Sequence, residues 1–143
     1  DAKYKVNCRF EATPNAKPFE MATYSGNVKT YIQYGILHFE IDGKKHQLSI
    51  YRSPMLMRIE AYANHLFAPF KDATNGVTTY GGGRYIDLEI GHIKDNKVVL
   101  DFNKCYNPWC AYSSGYNCPV PPRENHLSIA IEAGEKNYKG KKQ

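Results

Sequence analysis

Apolar and polar residues alternate one by one along most of this chain, which is the period of a half-buried β-strand. Between Tyr4 and Ala12 the apolar positions are Tyr4, Val6, Cys8, Phe10 and Ala12, with Lys5, Asn7, Arg9 and Glu11 between them. Turn residues from Thr13 to Pro18 close this strand, and a second over Phe19–Tyr24 ends at Ser25-Gly26-Asn27. A longer extended run covers Val28–Ile41, with a bulge or bend expected at Gly35. Asp42-Gly43 then joins it to His46–Tyr51, and Asp-Gly between two β-like runs is a strong hairpin signal. Leu37, Phe39 and Ile41 fall on one face, with Leu48 and Ile50 facing them.

Further along, Leu66–Phe70 reads as an edge strand, because Pro69 lacks the N–H that a central strand needs. Ile86, Leu88 and Ile90 alternate with Asp87 and Glu89, Lys94–Lys97 makes a turn, and Val98, Leu100 and Phe102 alternate again. Leu127, Ile129, Ile131 and Ala133 give the last clear strand. Within Pro54–Asn64, Leu56, Ile59 and Ala63 recur at helical spacing and allow one short helix. About eight short strands with turn signals between them predict a mainly β, antiparallel sandwich or barrel-like domain with at most one short helix. No internal repeat or second domain is visible, so residues 1–135 are expected to fold as one unit, followed by a basic tail over 136–143.

The 143 residues are enough to bury a core without metal or disulfide support. The net charge of +5 suggests nucleic acid until it is located: GEKNYKGKKQ at the end of the chain carries +3 of it. Elsewhere the two signs are interspersed, with no basic patch of the kind nucleic-acid binding needs, so no nucleic-acid partner is expected. No apolar run approaches the length that spans a membrane as a helix. The sequence begins at Asp1 instead of Met, which is the expectation for a mature or trimmed chain. Four cysteines fit two disulfides in an oxidising compartment or four reduced thiols. The compartment expected is extracytoplasmic, periplasm or cell envelope, with the cytoplasm as the alternative.

From Asp101 to His126 the periodicity stops. This segment, DFNKCYNPWCAYSSGYNCPVPPRENH, is dense in aromatics, asparagines and prolines and holds three of the four cysteines. A stretch this long without secondary structure is either disordered or an ordered functional loop. Tyr106, Trp109, Tyr112 and Tyr116 argue for order, since disordered segments are poor in aromatics. Together with Asp72–Asp87, DATNGVTTYGGGRYID, the loop resembles the DUF1684 family, bacterial and archaeal proteins of unknown function. The resemblance runs from Tyr4 to about Gly134. It implies exported relatives with a signal peptide and a further segment ahead of the position of Asp1, and Cys8 and Cys105 look like additions to the family pattern.

Three groups of residues are candidates for chemistry. In TYGGGR, Thr79–Arg84, consecutive glycines let backbone approach a ligand closely, and Arg84 can clamp a carboxylate or phosphate with two parallel hydrogen bonds. The following strand excludes a dinucleotide fingerprint, and the bland alternative is a tight bend with Arg84 paired to Asp87, Asp101 or Glu124. The polar set Asp101, Asn103, Asn107, Glu124, Asn125 and His126 lies at the two ends of the loop, where it can hold a polar ligand or simply satisfy loop backbone. Among the cysteines, a Cys110–Cys118 disulfide is favoured, a Cys8–Cys105 bridge is a possible second, and buried free thiols are the alternative. The intervals of four and seven residues among Cys105, Cys110 and Cys118 match no paired zinc spacing, so no metal or other cofactor is expected. Signatures of nucleophilic hydrolases, metalloproteases and nucleotide-binding loops are absent from the sequence.

The expectation is therefore a binding or envelope-associated module for a small polar or anionic ligand. Its site would lie between the 79–84 bend and the 101–126 loop, formed by Tyr80, Arg84, Asp101, Asn103, Tyr106, Asn107, Glu124 and Asn125. The loop tyrosines and Trp109 would supply a wall. The rivals are a hydrolase using Glu124 or Asp101 with Arg84, and a purely structural module.

Overall fold

The computed structural model describes residues 1–113 and 116–137. Seven antiparallel strands build one sheet curled into a half-barrel. They are β1 (Lys5–Ala12), β2 (Phe19–Ala22), β3 (Val28–Ile41), β4 (Lys44–Arg52), β5 (His65–Phe70), β6 (Arg84–Glu89) and β7 (Lys97–Asp101). The order across the sheet is β6-β5-β4-β3-β1-β7, with β2 also on β3. The fourteen residues of β3 make it the spine. Its C-terminal half pairs with β1 through Arg9↔His38, and its N-terminal half pairs with β2 through Phe19↔Tyr31.

The turn chemistry explains this order. The β3–β4 ladder shifts register between Gln33 and Gly35, where the bulge was expected. A Cβ at Gly35 would drive into the Phe10 ring and sit 2.7 Å from the Glu11 carbonyl oxygen, so only glycine lets β1 cross here. Asp42 and Gly43 both take positive φ, 53° and 76°, the pattern of the hairpin turn that the Asp-Gly pair predicts. Asp95 and Asn96, at 53° and 59°, repeat it ahead of β7.

One face of the sheet carries the main core: Val6, Cys8, Phe10, Leu37, Phe39, Leu48, Ile50, Leu66, Phe70, Ile86 and Leu100 are all buried there. Burying each large side chain contributes about 1.5–3 kcal/mol. On the opposite face, Met21, Tyr31, Tyr51, Phe67 and Tyr85 form a second, aromatic cluster with Phe19 packed on it.

The structure corrects several expectations. Leu66–Phe70 is an inner strand between β4 and β6, despite Pro69. The β4–β5 ladder there is reduced to Tyr51↔Phe67, and the fully buried Asn125 fills the gap. Its Oδ1 accepts from Ser49 N at 2.8 Å, while Nδ2 donates to Ser49 O at 2.9 Å and to Pro69 O at 2.8 Å. A side-chain amide thus takes the place of the ladder bonds that Pro69 cannot make. Leu127–Ala133 is not a strand, although Leu127 and Ile131 are buried as alternation requires. The helix allowed in Pro54–Asn64 is instead two separate 3-10 turns, Leu56–Arg58 and Glu60–Tyr62. Ile59 between them is extended at φ −100° and ψ 118°, and Met55, Met57 and Ile59 stay exposed, so no helical face is buried. Cys8 and Cys105 are free buried thiols, not a second bridge.

Candidate functional site

Arg84 opens β6 and is fully buried. Nη1 donates to the carbonyl oxygens of Ala133 and Glu135, and Nη2 donates to Ile131 O at 2.9 Å and Asp72 Oδ1 at 3.4 Å. The carboxylate of Asp72 in turn accepts from Ile131 N at 2.7 Å and from Thr74 Oγ1 at 2.8 Å. The ion pair and these side-chain bonds replace a neighbouring strand for segment 131–135, presenting donors to alternate carbonyls as a strand would. This explains why a strand-like pattern there lacks a ladder. The partner of Arg84 is Asp72, not Asp87, Asp101 or Glu124. The preceding Gly83 has φ +95°, and a Cβ on it would meet Phe70 O at 2.6 Å and Pro121 Cγ at 2.9 Å. The close approach that this glycine permits is to the protein's own chain.

The other expected site residues fall into separate places. Asp101 accepts from Asn103 N at 3.0 Å, and Asn103 Nδ2 reaches Asp1 O at 2.8 Å, so this pair shapes the turn after β7. Glu124 Oε1 accepts from Tyr51 OH at 2.8 Å, while His126 Nε2 lies 3.1 Å from Pro121 O. Tyr80 stands over Gly82, whose carbonyl accepts from Tyr24 OH at 2.6 Å. Asn125 is the buried bridge between β4 and β5. Of the expected set, Tyr106 and Asn107 share one cavity with Trp109.

That cavity is an open cleft of about 810 Å³ on the aromatic face of the sheet. Tyr31, Phe67 and Tyr85 line it from the sheet, Tyr106, Trp109 and Tyr116 from the loop, and Leu56 and Tyr62 from the 3-10 turns. The backbone of Tyr106 pairs with Tyr85 through two hydrogen bonds of 2.9 and 3.0 Å. The return limb of the loop is held by Val120 N to Ala22 O, 2.8 Å, by Tyr24 N to Cys118 O, 3.0 Å, and by Tyr85 OH to Pro119 O, 2.7 Å. The Cys110–Cys118 disulfide ties the limbs together, with Trp109 and Tyr116 stacked at 6.1 Å.

Asp87 sits at the polar centre of the cleft. The register Phe67↔Asp87 and His65↔Glu89 sets His65 diagonally across from it on β5. His65 Nε2 is 2.9 Å from Asp87 Oδ1, and Tyr106 OH donates to Asp87 Oδ2 at 2.7 Å. Burial, and then the bond to Asp87, pushes the Tyr106 phenol well above its ordinary value; burial leads for Tyr85 and, with the charge of Asp87 behind it, takes Tyr31 up to about 12. These phenols therefore stay protonated, and those of Tyr106 and Tyr85 already donate to Asp87 and to Pro119 O. Asn107 is buried at the cleft wall, its Nδ2 donating to Lys136 O at 3.0 Å, which fixes the amide's orientation. Its Oδ1 accepts no hydrogen bond among the described residues. The cleft thus offers the half-exposed carboxylate of Asp87 and the ring faces of its exposed aromatics.

His65, Phe67 and Asp87 were missed in the sequence because their phase on β5 and β6 points them away from the core. The usable signal was the pair of aromatics Phe67 and Tyr85 at positions that alternation assigns to solvent. A second depression, of about 1020 Å³, is lined by Lys5, Arg9, Lys45 and His46 at the other end of the sheet. Lys3 there pairs with Asp42 at 2.7 Å and His38 with Glu11 at 2.7 Å, leaving a solvated mixed-charge surface.

Fold and cleft together define a mainly β, half-barrel domain with one aromatic groove held by a disulfide-bonded loop. The chain belongs to the DUF1684 family, proteins of unknown function, whose model matches residues 1–136. It is similar to the solution NMR structure of an uncharacterized protein of Haloarcula marismortui, with a TM-score of 0.73 and 33% identity. That similarity covers 95% of this chain and 72% of the other. A comparison with curated proteins found no match. Among the described residues no helix is long and apolar enough to cross a membrane.

Proposed function

We propose that this domain is a small-ligand-binding module of the cell exterior whose site is the aromatic cleft around Asp87. One observation carries the reading: a carboxylate positioned by His65 and Tyr106 stands among aromatic rings that open to solvent, Trp109 being 68% exposed. Ligand sites characteristically combine apolar and aromatic walls with a few placed polar groups, and exposed aromatics clustered around such a group are otherwise costly. Because the cleft centres on a carboxylate and Arg84 is sealed elsewhere, the ligand favoured is polar and hydrogen-bond-donating in place of anionic. An extracytoplasmic setting is supported by the Cys110–Cys118 disulfide, a bond that persists in oxidising compartments. The hydrolase alternative has less support, since Glu124, Asp101 and Arg84 are each held by different partners.

Trp109 is the sole tryptophan, so its fluorescence is a built-in reporter of the cleft. Titrating a library of small polar compounds is expected to give saturable changes in emission, which Asp87→Ala and Tyr106→Phe weaken at least tenfold. A library that yields no saturable change and no rise in melting temperature would sink the binding reading.

A further inference from the structure

Resting on that reading, we infer that the cleft selects organic cations, specifically a methylated ammonium group, with Asp87 as counter-charge and the exposed rings of Tyr106, Trp109 and Tyr116 as walls. Ring geometry is the first argument. Phe67 and Tyr85 meet edge to face, with centroids 4.7 Å apart and planes at 75°, and Tyr85 and Tyr106 meet at 5.9 Å and 86°. The inner members of these corners, Phe67 and Tyr85, are packed to 7% and 6% exposure, so the faces open to a rounded cation are those of Tyr106, Tyr116 and Trp109, 36%, 47% and 68% exposed. A cation within about 6 Å of a ring centroid is attracted by the ring quadrupole, and recognition of quaternary ammonium groups by aromatic cages uses this attraction.

The charge around the corners is the second argument. Asp87 is the carboxylate beside them, bonded through one oxygen each to His65 and Tyr106 and still 46% exposed. Glu135 also lines the cleft. Lys29, which opposes a cation, is exposed at the rim, where water and salt screen it. The hydroxyls of Tyr85 and Tyr106 are already donating, so neither is open to an anion.

The test uses the full chain and three probes: choline, its neutral isostere 3,3-dimethylbutan-1-ol, and maltose, each followed by Trp109 fluorescence and backbone amide shifts. Choline should shift the amides of Tyr106, Trp109 and Tyr116 with at least tenfold higher affinity than the isostere. Asp87→Asn should abolish that difference, and Tyr116→Leu, which keeps an apolar side chain, should weaken choline at least threefold. A methylated ammonium can come from a free solute or a lipid headgroup. Co-sedimentation with phosphatidylcholine vesicles beyond that with phosphatidylglycerol vesicles would support the inference with the headgroup as the source. Choline binding without sedimentation would support it with a free solute. Equal binding of choline and isostere, preference for maltose, or no response to choline would overturn the inference. A neutral ligand found in the same cleft by the library titration would leave the binding reading intact while removing the cation, so the two failures are separable.

Discussion

Arg84 and Asp87 lie three positions apart on one strand, yet they belong to opposite halves of the molecule. Arg84 points into the core, fully buried, with donors on Asp72 and on the carbonyls of Ile131, Ala133 and Glu135. Asp87 points outward into an open cleft, its side chain 46% exposed, with two bonds to side chains and room around it. The difference teaches that β-strand phase, more than residue type, decides which polar group serves the fold and which is free for a ligand. The more eye-catching residue by sequence, an arginine after three glycines, is the structural one.

That contrast breaks most visibly in stability. Arg84→Ala should cost about 3–5 kcal/mol, because it strands the buried Asp72 carboxylate and the carbonyls of segment 131–135. Arg84→Lys keeps the charge but loses the planar fork, and should still cost about 1–3 kcal/mol in unmet hydrogen bonds. Asp87→Asn, in contrast, should shift the urea midpoint by the equivalent of less than about 1 kcal/mol, as expected for an exposed pair. Comparable losses for Arg84→Ala and Asp87→Asn in urea unfolding would erase the distinction.

Loss of the loop tie comes next. The Cys110→Ser, Cys118→Ser double variant should be destabilised by about 2.5 kcal/mol on chain-entropy grounds, and it should loosen the Trp109 side of the cleft. Equal unfolding midpoints with and without reductant would show that the tie contributes nothing. In protein taken from an oxidising compartment, peptide mapping should find Cys110 joined to Cys118 while Cys8 and Cys105 react with iodoacetamide only after unfolding.

Alkali should reach the core before the cleft gives way. Burial raises Cys105 to about 11 and Cys8 to about 12, and Tyr31 and Tyr24 to about 12. A folded-state value above the unfolded one means that the native chain keeps protons the unfolded chain releases. The stability they supply is fully present below the unfolded thiol value near 9.0 and is lost as pH rises through about 11 and 12. The unfolding midpoint should therefore be flat from pH 7 to 8.5 and fall steadily above pH 9; a midpoint that rises above pH 9 would contradict this. The smallest effect belongs to Tyr116→Ala at the cleft mouth, 47% exposed, which should change stability by less than about 0.5 kcal/mol.

How much of this was legible in the sequence follows from the same phase argument. Strict alternation over Tyr4–Ala12, the bulge at Gly35 and the Asp42-Gly43 turn are local signals, and each appears where expected. The family resemblance rested on rare residues in order and is matched over residues 1–136. What was not legible depends on partners distant in sequence. Pro69 became tolerable in an inner strand only because Asn125 bridges Ser49 and Pro69, and Leu127–Ala133 lost its ladder because Arg84 and Asp72 supply the bonds. Aromatics of the 101–126 loop line the cleft, but its polar ends are spent on the turn after β7, on Tyr51 and on the β4–β5 gap, and the carboxylate beside the loop comes from β6. Within the expected basic tail, Asn137 N donates to Thr78 O at 3.0 Å. The rest of the expected basic tail, 138–143, lies outside the described residues.

The most direct measurement is an amide chemical-shift map of the full chain with the first compound that saturates the Trp109 response. The account predicts that shifts concentrate at Tyr31, His65, Phe67, Asp87, Tyr106 and Trp109, with Asp72, Arg84 and Asn125 unmoved. Shifts centred on the 79–84 bend and on Asp72, Arg84 and Asn125, with the cleft silent, would contradict it.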